Sequence, residues 1–136
     1  MNKSNYFFGQ SVFGQLISLI DPTLVSKAVR GRNSDYYTKR FDTSDHLISM
    51  LFSTFANCSS LREVAGAMLG LKGKTNHFQL KNIPHKSTLS DANARRCHEV
   101  FQDIYYLLYK EYSGIISDSR KQYVWEQRVE IIDSAT

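Results

Sequence analysis

"SSLREVAGAMLG", residues 59–70, is the stretch whose reading decides the fold. Ser60 and Glu63 stand three apart just before an apolar-periodic run. In that relation the hydroxyl accepts the N–H three residues on, and the carboxylate reaches back to an otherwise orphaned backbone N–H. Gly70 supplies a natural stop. A short capped helix follows, and the same grammar continues outward in both directions. Val12, Phe13, Leu16, Ile17 and Ile20 recur at helical spacing. Asp21-Pro22 reads as an N-cap followed by proline at the first helical position, opening a helix to about Val29 with Leu24, Val25, Ala28 and Val29 on one apolar face. Asp42 or Thr43 caps a third helix, with Leu47, Met50, Leu51, Thr54 and Phe55 expected along its buried side.

Downstream of Gly70 the pattern fails. Residues 71–86 read as an extended excursion, a small hairpin or wing, carrying Lys72, Lys74, Lys81 and Lys86. Ser87 then caps a helical stretch in which Cys97, Phe101, Ile104, Leu108 and Tyr112 keep the period until Gly114, as one helix or two. After "SGIISDSRKQ", residues 113–122, the period turns to alternation at Tyr123, Trp125, Val129 and Ile131, where β-structure is expected. The fold class is therefore mainly α, a helical bundle that ends in one or two short strands.

With 136 residues and 42% hydrophobic composition, the chain has material for one cored domain, or one plus the start of another. No apolar run approaches the ~20 residues that cross a bilayer. The N-terminus also lacks the basic-then-apolar order of a secretory signal, so the expectation is a cytoplasmic protein with no membrane partner. Cys58 and Cys97 form no CxxC pair, and with His77, His85 and His98 they match no zinc-finger or knuckle spacing. Residues 1–96 carry 13 Lys/Arg against 6 Asp/Glu, whereas residues 97–136 carry 4 against 7. A basic front of this kind suits a polyanion, although a solvated basic surface explains the same count.

"HKSTLSDANARR", residues 85–96, concentrates the chemistry. Small hydroxyls and an amide near a helix start can reach base edges or phosphates, and arginines one turn later can hold a backbone or read guanine. Lys86, Ser87, Thr88, Asn93, Arg95 and Arg96 are the candidate DNA contacts. Together with the 59–70 helix they form a helix-turn-helix-like portion. Its connection is much longer than the standard turn of ~3–4 residues. A second basic cluster, Arg30, Arg32, Lys39 and Arg40 with Lys27, is interleaved with Tyr36 and Tyr37. Those rings can stack on exposed bases, or can pack as half-buried lids on a helical core.

"SLREVAGAMLG", "IPHKSTLSDANARRCHEVFQDIYYLL" and the closing "VEIIDSAT" resemble the N-terminal region of bacterial insertion-sequence transposases of the insertion-sequence-four type. In that family a helical domain of unknown function precedes an RNase H-like catalytic domain of the DDE class. The resemblance implies that Asp133, in "IIDSAT", is the first catalytic aspartate and a metal ligand on the first strand of that domain. It implies two Mg²⁺ ions ~3.5–4 Å apart, held in the intact parent by three carboxylates from distant parts of the chain. Only one of those carboxylates is present, so the chain is expected to be a truncated N-terminal part, catalytically silent alone. The expected division is a helical DNA-binding domain at 1–117 and the start of an incomplete RNase H-like domain at 118–136. The expected function is recognition of element ends in DNA transposition, with double-stranded DNA as partner and a homodimer compatible with it. The alternatives are a stand-alone DNA-binding regulator and a helical protein-interaction module.

Overall fold

The computed structural model describes residues 11–121. Six α-helices follow in order: α1 (Val12–Ser18), α2 (Pro22–Arg32), α3 (Thr43–Phe55), α4 (Leu61–Leu69), α5 (Lys86–Arg95) and α6 (Glu99–Lys121). One 3₁₀ turn, Thr75–Phe78, lies between α4 and α5. The described residues include no strand. The alternating segment at Tyr123–Ile131 and the aspartate at 133 lie outside them.

Side-chain caps start four of the helices. Ser11, Asp21, Asp42 and Ser60 each accept the N–H of a residue two or three positions on, at 3.1, 2.8, 2.9 and 3.2 Å respectively. Glu63 completes the box by accepting from Ser59 N–H at 2.6 Å, one residue ahead of the cap. Asn33 closes α2 in the left-handed conformation, and the next N–H, of Ser34, returns to Val29 O at 3.2 Å.

Two apolar clusters hold the helices. Phe13, Ile17, Ile48, Val64, Met68, Phe78, Leu80 and Leu89 join α1, α3, α4, the 3₁₀ turn and α5. Val25, Ala28, Val100 and Ile104 join α2 to α6, and Ile20 packs against both clusters. Arg32 reinforces the α2–α6 pair from the surface, meeting Glu99 at 2.5 Å and Asp103 at 2.7 Å. The hydrogen bond from Arg32 holds the Asp103 carboxyl below its ordinary range.

The structure departs from the periodic reading in four places. Residues 71–86 form no hairpin: Phe78, Leu80 and Pro84 are buried, so the excursion is folded inward against the core. Ser87 is not a cap, because α5 begins at Lys86 with His85 as its uncapped boundary residue. Gly114 does not end the helical stretch: 88–112, open between one helix and two, is two, broken at Arg96–His98, and the second passes through Gly114. An isolated glycine costs a helix ~1 kcal/mol relative to alanine. That is too little to stop α6, which Tyr112 anchors by donating its hydroxyl to Leu19 O at 2.5 Å. Finally, the buried side of α3 is Thr43, Asp45, His46, Ile48 and Ser49, whereas Leu51, Thr54 and Phe55 are exposed.

That last inversion has a physical cause. The N-terminal half of α3 meets two irregular segments, 33–42 and 79–82; its own first N–H and the N–H groups of the second segment need acceptors. Asp35 accepts from Thr43 N at 2.8 Å, and Asp45 accepts from Lys81 N at 2.9 Å and Asn82 N at 3.1 Å. Polar side chains are buried there because they close hydrogen bonds that water would otherwise make. No single helix among the described residues is long and apolar enough to cross a membrane.

Candidate nucleic-acid interface

α5 offers three faces. Leu89 is fully buried against α4. Asn93 and Arg96 turn toward α3. Thr88, Asp91, Ala92 and Arg95, spaced three and four apart, look outward into a groove. The opposite wall of that groove is the 34–41 loop, with Tyr36, Tyr37, Thr38, Lys39 and Phe41. The volume between the walls is about 360 Å³. Two segments that sequence reading treated as separate basic clusters, the tyrosine loop and the "STLSDANARR" helix, thus face one another.

The candidate residues divide by what they touch. Arg95 is 80% exposed and loosely paired with Asp91 at 3.2 Å on its own helix. Lys39, Arg40, Lys86 and Ser87 are exposed, and Thr88 is half-buried in the groove wall. The first turn of α5 has no side-chain cap. Arg30 is exposed on the last turn of α2, away from the groove, in a depression it shares with Asp35, Asp42 and Lys81. Arg32 is engaged with α6, as described above.

Asn93 and Arg96 are engaged with other parts of the protein, the Arg96 side chain buried and Asn93 still exposed. Arg96 is only 7% exposed; it donates to Phe41 O at 2.9 Å and Asp42 O at 3.4 Å, and lies 3.6 Å from Asp35. Burial lowers its pKa, against the pull of Asp35 and Asp42. Asn93 Oδ1 can only accept, so His46 Nε2–H donates to it at 2.6 Å. The remaining ring nitrogen, Nδ1, is buried with no hydrogen-bond partner.

The surroundings of His46 favour the neutral ring. Burial lowers its pKa, the Asn93 bond opposes the shift, and the Arg96 charge adds to it. A histidine depressed in the folded state contributes stability that is complete above the unfolded value of ~6.5 and is lost as pH falls toward the folded value. Unfolding by urea at about pH 7.5 and about pH 5.5 is expected to show a lower midpoint at the acid end. In His46→Gln, which keeps a donor for Asn93 and cannot titrate, that difference is expected to shrink. An unchanged difference in His46→Gln would show that another group controls the acid limb.

Of the two readings of the tyrosines, half-buried lids are excluded: Tyr36 and Tyr37 are 71% and 90% exposed, in an edge-on pair with centroids 4.3 Å apart. Sequence reading missed two further features of the interface. Phe41 forms part of the groove wall, with the Arg96 guanidinium 6.0 Å from its ring centroid. Asp91 brings a negative charge into the groove beside Arg95. The tyrosine dipeptide among cations was visible, but nothing local showed which helix it would face.

Asp133 lies outside the described residues. Among those described, no group of three or more His, Cys, Asp or Glu side chains is placed to hold a metal ion. The Mg²⁺ pair implied by resemblance rests on Asp133 and carboxylates of an intact parent, so no metal step follows from the described residues.

The described residues are mainly helical and carry a groove lined by Tyr36, Tyr37, Phe41, Lys39 and Arg95. Residues 8–81 match the family described as Domain of unknown function (DUF4372), over more than half of the chain, and the chain belongs to that family. The matched region includes α1–α4 and the tyrosine loop, and stops before α5. No curated protein and no solved structure matches the chain.

Proposed function

We propose that this chain is the DNA-binding part of a transposase, engaging duplex DNA at element ends through the groove between the 34–41 loop and α5. The observation that carries the reading is the pairing of Lys39 and exposed tyrosines on one wall with Arg95 on the other. Lys86 and Arg40, exposed nearby in sequence, add positive charge to the same two segments. In this reading α4 and α5 act as a helix-turn-helix-like pair whose connection, residues 70–85, has been expanded into a folded insert. Asp133 would then belong to the RNase H-like catalytic region of the same transposase, and the supporting ground for that is the resemblance of "IIDSAT" alone.

The test is fluorescence anisotropy with element-end duplex at rising salt. Neutralising three or four phosphates gives a slope of log affinity against log salt of about −3 to −4. Absence of binding to any duplex at low salt would overturn the reading. One observation favours a second reading, a helical protein-interaction module: α6 leaves Tyr105, Tyr106, Tyr109, Ile115 and Ile116 exposed. Sedimentation showing self-association that is insensitive to salt, without any DNA binding, would favour that reading instead.

A further inference from the structure

Tyr37 is unexplained by folding. It is 90% exposed, so it contributes little to any core. Its backbone sits at φ +69°, in the left-handed region that glycine or asparagine occupies comfortably and a bulky side chain does not. The preceding Tyr36 is also exposed and packs edge-on against it, which fixes how the two rings stand at the mouth of the groove. A strained, solvent-facing aromatic beside a half-open cleft is what a flat ligand would use.

The rest of the groove narrows the choice of ligand. Phe41 adds a third aromatic ring, Thr38 and Thr88 bring hydroxyl groups, and Lys39 and Arg95 bring positive charge. Asp91 lies on the α5 wall and pairs with Arg95 at 3.2 Å, so an incoming anion must compete with it for that guanidinium. About 360 Å³ lies at the small end of the ~300–1,000 Å³ range of ligand sites, room for one base with its sugar. Within a paired duplex the base faces are hidden by stacking, whereas an unpaired base can offer a face to a protein ring.

We propose that the groove takes an unpaired nucleotide, its base stacked on Tyr37 and its flanking phosphates on Lys39 and Arg95. The proposal rests on the nucleic-acid reading above and narrows it, from duplex in general to DNA containing an unstacked or single-stranded base. Such a site would favour a frayed, bulged or nicked end over continuous duplex.

The experiment compares three probes by fluorescence anisotropy at one salt concentration: a blunt duplex, the same duplex with one bulged 2-aminopurine, and an oligo-dT single strand. Stacking of one base corresponds to roughly tenfold in affinity. The chain is therefore expected to bind the bulged duplex about tenfold tighter than the blunt one, with quenching of the 2-aminopurine. Tyr37→Gly is expected to abolish both the preference and the quenching while leaving the thermal midpoint unchanged or raised, since glycine accepts the left-handed backbone. Arg95→Ala is expected to weaken all three probes alike. Equal affinity of the parent chain for bulged and blunt duplex, or a preference that survives in Tyr37→Gly, overturns the stacking site while leaving duplex binding standing. Failure to bind any of the three probes overturns both readings together.

Discussion

Asp45→Ala is expected to destabilise the protein by about 2–4 kcal/mol, with a fall of ~10 °C or more in the thermal midpoint of a domain this small. The Asp45 side chain is fully buried, and its two oxygens are shared between Lys81 N–H at 2.9 Å and Asn82 N–H at 3.1 Å. Those bonds fasten the insert between α4 and α5 to the first turn of α3. Alanine removes both acceptors at once and leaves two backbone donors with no replacement partner. Asp45→Asn is expected to lose roughly half as much, since an amide oxygen can take one N–H while its NH₂ opposes the other. Hydrogen exchange is the sharper measurement: the Lys81 and Asn82 amides should lose protection in Asp45→Ala before the rest of the fold does. An unchanged midpoint with protected amides would mean that the insert is held by Phe78 and Leu80 alone.

The same residue carries an unusual pH sign. Burial raises the Asp45 pKa, outweighing the two backbone bonds that lower it, with Asp42 adding to the rise. A carboxyl raised in the folded state makes the fold more stable as pH falls through the raised value toward ~3.8, the reverse of the usual acid response. Asp45 and His46, adjacent in sequence, therefore pull stability in opposite directions as the solution is acidified. His46 acts below ~6.5, as worked out above. Asp45 acts at the lower end.

That pair shows where sequence reading stopped. The helices were legible because their signals are local: Asp21-Pro22 opens α2, Asp42 caps α3, and Ser60 with Glu63 opens α4. The apolar face of α2 was read correctly at Val25 and Ala28, which are buried. On α3 the same method chose Leu51 and Phe55, and the chain buried Asp45, His46 and Ser49 instead. Hydrophobic period measures transfer from water, and it is blind to a carboxylate that is buried because a distant loop needs an acceptor. The partners of Asp45 lie 36 and 37 residues away, beyond any window in which a pattern can be read.

The candidate interface was legible as composition and not as geometry. Arginine-rich and tyrosine-rich segments could be marked, but their facing depends on how α5 is rotated about its axis. Successive helical residues point ~100° apart, so neighbours in sequence need not share a role. Arg95, the last residue of α5, and Arg96, where the backbone leaves the helix for an extended conformation, also part company, and they yield the second large prediction.

Arg96→Ala is expected to act on folding, and Arg95→Ala on binding. Arg96, the extended residue that follows α5, turns its guanidinium inward, joining Phe41 O and Asp42 O to Asp35 just ahead of α3. Truncating it removes the donor to Phe41 O and the positive charge beside Asp35, while Asp35 keeps its bonds from Thr43 and Asp42 O keeps the His46 N–H, a loss of about 1–3 kcal/mol. Arg96→Lys is expected to recover little, because one ammonium cannot reproduce a planar fork that spans three acceptors. Arg95 is 80% exposed, and its pair with Asp91 contributes ~0.5 kcal/mol or less, so its alanine variant should unfold like the parent. Its effect should appear in DNA affinity and as a salt slope reduced by about one. Urea unfolding of both variants, followed by anisotropy under conditions where each is fully folded, separates the two roles. Should Arg96→Ala keep the parent's midpoint and lose DNA affinity, the guanidinium must leave its internal acceptors to meet the duplex, and the division of α5 into an inward and an outward face would fail.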